Sequence, residues 1–80
     1  MNRFQTIEIA RETFTHADED IQEANDFINK SDNLTAYHIL KRMGDDLEAA
    51  AKAFPEMQAE LDIIAQKIAP VLMRIIYVKS

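Results

Sequence analysis

From Ile7 onward the apolar residues return at alternating steps of three and four: Ile7, Ala10, Phe14, Ala17, Ile21, Ala24, Ile28. A helix turns roughly 100° per residue, so this spacing lays all seven on one narrow seam. They occupy the a and d positions of a heptad, with Ala at every d. Small residues at one seam position let a neighbouring helix come close, while Ile and Phe fill the gaps between them.

The spacing predicts one helix over residues 5–29. The stretch "TFTHADED" offers a competing start, because Thr15 stands three residues before Asp18 as a cap would. The register passes through it unchanged, which favours continuity. "NKSDN" is the first clear break, being dense in residues that bond their own backbone and favour turns and caps.

A second seam follows: Ala36, Leu40, Met43, Leu47, Ala50, Phe54. It predicts a helix over 34–53. Gly44 lies inside this span, where it costs about 1 kcal/mol relative to Ala. It reads either as a C-cap before a new helix opened by Asp45 and Glu48 or as a point where another helix crosses closely. The surviving register favours a single helix. Pro55 disfavours helical geometry at Phe54 and suits the first turn of what comes next.

The third seam is Met57, Leu61, Ile64, Ile68, Val71, Ile75, Val78, a helix over 55–78. Pro70 lies on the side away from that seam and predicts a kink near 66–70. Two short connections between comparable helices imply antiparallel neighbours. The expected fold is therefore all-α: one domain over 1–80, a small antiparallel three-helix bundle with a/d seams. The runner-up is a helical hairpin that completes its core as a homodimer.

Composition agrees. One Gly and two Pro among 80 residues leave few places to turn, and long helices follow. The absence of cysteine removes disulfide frameworks, thiol catalysis and Cys-based zinc sites. A net charge of −5, from 14 acidic and 9 basic residues, is unfavourable for phosphate neutralisation by a nucleic-acid binder and for an anionic membrane surface. "MNRFQTIEIARE" shows no secretory h-region, and no apolar run reaches about 18–20 residues. The expected location is cytoplasmic, with neither nucleic acid nor membrane as partner.

Glu12, His16, Glu19 and Glu23 share one face of the predicted first helix, the kind of spacing from which bundle proteins ligate zinc or iron. That face lies opposite the seam, so a solvated charged stripe is the expectation, with no metal or other cofactor. His38 follows Tyr37, also off the seam. A single glycine excludes a phosphate-cradling loop. "ILKRMGDDLEAAAKAF" faintly suggests helix-turn-helix, but its second helix would open on Asp45 and Asp46 and offer a duplex only Lys52. An enzyme and a DNA-binding regulator are both disfavoured.

The apolar residues outside the seams carry the remaining information. Ile76 lies well round the side of the third helix, Met73 and Tyr77 project near its outer face, and Ala69 extends this second stripe one turn back. If the third helix is not contacted from two sides, Met73, Ile76, Tyr77 and Ala69 form an exposed patch, with Ile63 or Phe4 nearby. Met and Tyr suit interface cores. A ring of carboxylates is expected around them, and an acidic cluster at Asp18, Glu19 and Asp20 is expected to steer toward a basic protein target.

The resulting expectation is a small non-enzymatic protein–protein interaction module, an inhibitor, antagonist or adaptor that sterically covers a target. By size and composition it groups with antitoxins, immunity proteins and phage-borne antagonists such as anti-CRISPR proteins. A helical assembly subunit or a secretion chaperone is the alternative, and a DNA-binding regulator stands behind both.

Overall fold

The computed structural model describes residues 4–79, with side chains through residue 76. Its helices are α1 (Ile7–Thr13), α2 (Ala17–Asn29), α3 (Asn33–Ala53) and α4 (Gln58–Lys79), with a 3-10 turn at Pro55–Met57 before α4. Helices α2, α3 and α4 pack against one another pairwise, which makes an all-α three-helix bundle. The hairpin arrangement is not what forms.

Three interhelical bridges set the directions. Arg11 donates to Glu60 through Nη2 at 2.8 Å, Lys67 Nζ donates to Asp18 Oδ1 at 2.9 Å, and Arg74 Nη1 donates to Asn25 Oδ1 at 2.6 Å. Each pair is 49 residues apart, and successive pairs advance one heptad on both helices. A constant separation requires parallel helices, so α1–α2 and α4 run the same way and α3 runs back between them. The molecule is 39 Å long and 21 × 16 Å across. Twenty-two residues of α4 at about 1.5 Å each span most of that length.

The first predicted helix is broken. Phe14 and Thr15 donate their N–H groups to the carbonyls of Arg11 and Glu12, both at 3.1 Å, three residues back where an α-helix reaches four. Ala17 does the same to Phe14 at 3.1 Å. The hydroxyls of Thr13 and Thr15 donate to the carbonyls of Ile9 at 3.0 Å and Arg11 at 3.2 Å. These hydroxyls take up carbonyls that the helical ladder would use, and such back-bonding bends helices. His16 opens α2 without a side-chain cap, so Thr15 does not serve as one. The seam nevertheless continues, because Ala10 and Ala17 are both buried and Phe14 packs against the same core. Phe4 is buried too, its ring 6.2 Å from that of Phe14.

The α2–α3 turn is a Schellman motif. Ser31 takes a left-handed backbone, φ 66°, its N–H bonding Ile28 O at 2.9 Å while that of Asp32 bonds Phe27 O at 2.8 Å. Asp32 then caps α3. Its Oδ1 accepts from the Thr35 N–H at 3.2 Å and its Oδ2 from the Thr35 hydroxyl at 2.7 Å. The Thr35 hydroxyl, and then its N–H, hold the Asp32 carboxyl below its ordinary pKa. Likewise the hydrogen bond from Arg11 lowers the pKa of Glu60.

Gly44 is an ordinary helical residue in an unbroken α3, with φ negative. A Cβ built there meets nothing within 4 Å, so it is neither a cap nor a close crossing. Phe54 leaves the helix at φ −133°, ψ 79°, outside the helical region that a following Pro disfavours. The 3-10 turn delays α4 to Gln58, three residues past the expected start, and buries Met57. Pro70 faces outward within a continuous α4, and Ile68, Val71 and Ile75 stay buried on either side of it.

The core is drawn from all three seams, with Leu40 and Met57 its most completely buried large side chains. Among the described residues no polar or charged side chain is buried. Burial of apolar area, at about 25 cal/mol per Å², therefore dominates its stabilisation.

Candidate protein-docking site

Because α3 runs antiparallel to α4, the start of α3 and the end of α4 share one end of the bundle. A cavity of about 240 Å³ opens between them, lined by Asn33, Leu34, Tyr37 and Ile75. Ile75 belongs to the core and forms the floor. Leu34 is 68% exposed and Tyr37 42% exposed, and they form the α3 wall. Beside Ile75, Ile76 is 60% exposed, and Met73, about 60° further round the helix, is 45% exposed. These four side chains make the apolar end of the molecule. Asn33 Oδ1 is shielded from solvent in the same lining with no hydrogen-bond partner, an acceptor that an incoming N–H or O–H would satisfy.

The sequence-derived residues divide accordingly. Met73 and Ile76 are exposed, and Ala69 is exposed one turn back on the same flank. Tyr77 lies in α4, but its side chain is outside the described residues. Ile63 is exposed more than two turns away from Met73, and Phe4 is buried far from the patch. Leu34 and Tyr37 were missed because they belong to a different helix. Their signal was present in α3, where both fall off the Leu40 seam toward one side.

The carboxylate ring expected around the patch is not there. Lys41 stands one turn beyond Tyr37, and Lys30 caps the neighbouring turn with its ammonium 5.7 Å from the Phe27 ring centre. Among the described residues Arg74 donates to the neutral Asn25 and Asn29 side chains, at 2.6 and 3.0 Å. Segments 26–41 and 69–79 carry Lys30, Lys41, Arg74 and Lys79 against Asp26 and Asp32 alone. Segments 4–25 and 42–68 carry four basic residues, Arg11, Arg42, Lys52 and Lys67, against twelve carboxylates. The bundle is more acidic at the end where α2 and α4 begin than at the apolar end, where Lys41 pairs with Asp45 at 3.5 Å and Arg74 turns toward α2.

Asp18, Glu19 and Asp20 do not form one cluster. Consecutive residues on a helix fan over about 200°, so they point in three directions. Asp18 reaches Lys67 on α4, and Glu19 lies 3.4 Å from His16 Nδ1. Asp20 turns into an α2–α3 groove of about 290 Å³ that it shares with Thr13, Glu23, Ile39, Arg42, Met43 and Asp46. All three also stand in the first turn of α2, where negative charge suits the helix dipole. Among the described residues no group of three His, Asp or Glu side chains is placed to hold a metal ion, and no helix is long and apolar enough to cross a membrane.

No protein-family model matches the chain, and no curated protein or solved structure matches it either.

Proposed function

We propose that the protein is a non-enzymatic interaction module that works by occupying the surface of another protein, as an antagonist or adaptor, through the apolar end of its α3–α4 face. The observation that carries this reading is a cavity lined by exposed Leu34 and Tyr37 on α3 and by Ile75 on α4, with exposed Ile76 and Met73 at the same end of α4. Single exposed apolar residues mean little, but a contiguous set rimmed by polar groups marks interaction sites. The cavity volume lies below the roughly 300–1,000 Å³ usual for small-molecule sites. It suits one inserted side chain better than a metabolite. Occupation of a target is steric, and needs no more chemistry than the face supplies.

A photo-activatable residue placed at Ile76, and separately at Glu12 on the acidic end, tests the reading in extracts of the native cell. A discrete adduct formed from position 76, absent from position 12 and lost when Leu34→Gln is added, supports it. Equal labelling from both positions, or none from 76, removes it.

A further inference from the structure

We infer that residues 4–13 form a hinged strap, which lifts off and recloses as a unit while α2, α3 and α4 stay folded. The strap lies at the opposite end of the molecule from the Leu34–Tyr37 cavity, and its opening does not depend on the docking face.

The hinge lies in the hydrogen bonds between α1 and α2. There the N–H groups of Phe14, Thr15 and Ala17 reach only three residues back, to Arg11, Glu12 and Phe14. Such a 3-10 stretch inside a helical run often marks a hinge or a strained sequence. Phe14 (φ −94°, ψ 3°) and His16 (φ −102°, ψ 19°) both leave helical geometry at this point. The ladder of α2 then begins afresh, with no side chain capping it.

The strap is also lightly held. Helices α2, α3 and α4 and the 3-10 turn pack on one another, and α1 stands outside those principal pairings. Within α1 only Ala10 is buried and Ile7 half-buried, with Phe4 ahead of them against Phe14. Its ion pair to the body, Arg11–Glu60, joins two side chains each about half exposed, where such pairs hold weakly. Few buried apolar side chains mark a segment of low local stability, which opens without global unfolding.

The body keeps its own core when the strap lifts. Ile28, Leu40 and Ile75, one from each of its helices, are buried toward the far end of the bundle. The near end is what opens. The Arg11–Glu60 bridge sets α1 alongside the first turn of α4, where Met57 and Leu61 are buried. Phe4 and Ala10 share one core cluster with them, so lifting the strap bares an apolar surface around Met57 and Leu61. A closed strap keeps that surface out of reach, and its opening gates any contact there.

The absence of cysteine makes a direct test possible. Ala10, Ala24 and Ala36 are each 0% exposed and lie on α1, α2 and α3. Each is replaced separately by Cys in the full chain, and labelling by an aromatic disulfide reagent is timed in rising urea. The Ala10→Cys thiol is expected to react at least about tenfold faster than the other two, at a rate that barely changes below the unfolding transition. Ala24→Cys and Ala36→Cys should react only through global unfolding, with rates that climb steeply with urea. Met57→Cys reads the covered surface, and should follow the urea-independent course of position 10.

Identical rates and urea dependence at positions 10, 24 and 36 overturn the strap, because α1 then unfolds only with the whole bundle. Labelling of position 57 by global unfolding alone overturns the gate. Should Ala10→Cys fail to fold, native-state hydrogen exchange of the wild type reads the same contrast in the N–H groups of α1 and α3. A common protection along α1 supports opening as a unit. Protection that rises steadily toward Thr13 is fraying from the chain end, and overturns it.

Discussion

The two flanks of α4 are built differently. Toward α1 and α2 the helix is bridged by Arg11–Glu60, Asp18–Lys67 and Asn25–Arg74, one bridge per heptad. Toward α3 the face ends in an open cavity walled by exposed Leu34 and Tyr37. Both flanks border the same buried seam, so the difference is not one of core. Polar bridges at regular intervals fix register and direction between parallel helices, as flanking pairs do in coiled coils. The α3 flank ends instead in large apolar side chains left exposed.

The sharpest way to break this contrast is to mutate the neighbours Ile75 and Ile76. Ile75→Ala is expected to cost about 2–4 kcal/mol of folding stability, because it empties a core position. Ile76→Ala should stay within about 0.5 kcal/mol, as surface substitutions do. Urea unfolding followed by circular dichroism reads both. Equal losses would place Ile76 in the core and close the open flank. The next effects are gains. Gly44→Ala should add about 0.5–1 kcal/mol, since the new methyl meets nothing and the unfolded chain loses freedom. Ser31→Gly should also stabilise, by up to about 1 kcal/mol, by relieving the left-handed residue at the turn.

Smaller changes are expected on the bridged flank. Asp18→Lys or Lys67→Asp alone should lower stability by less than about 1 kcal/mol, with the double exchange restoring it and salt erasing the coupling. The smallest effect is a pH dependence. Glu60 has a folded pKa below its unfolded value near 4.3, so its contribution is complete at neutral pH. It is lost as pH falls from that value through the lower folded pKa. The stability difference between the wild type and Glu60→Gln should therefore shrink in acid, and a difference that grows there would contradict the bridge.

Much of the bundle was legible because one rule, the a/d repeat, governs both sequence and packing. Nearly every described seam residue is buried or packed on the core. What the repeat does not report is the hydrogen-bond ladder. Phe14, Thr15 and Ala17 donate three residues back instead of four while the seam runs on, so a continuous register concealed a broken helix. Pairing between helices was hidden for a related reason. Met73 and Ile76 could be placed on their own helix, but their company with Leu34 and Tyr37 depends on which helix lies next to which flank. The sign of the charge around them depends on it too. A carboxylate excess over the whole chain said nothing of how few carboxylates, Asp26 and Asp32, fall in the segments at that end.

A bundle with an odd number of helices cannot cancel its peptide dipoles in pairs. Helices α2 and α4 both start at the acidic end and finish at the apolar one, against α3 alone in the other direction. Carboxylates in the first turns of α2 and α4, and Lys30 at the C-cap of α2, compensate that imbalance locally. They also leave the molecule bipolar at distances beyond those short-range fields. Such a body rotates in the field of an approaching charged partner before any contact forms. Orientation would then precede recognition, and the end presented first to an acidic surface would be the one carrying Leu34, Tyr37, Met73 and Ile76.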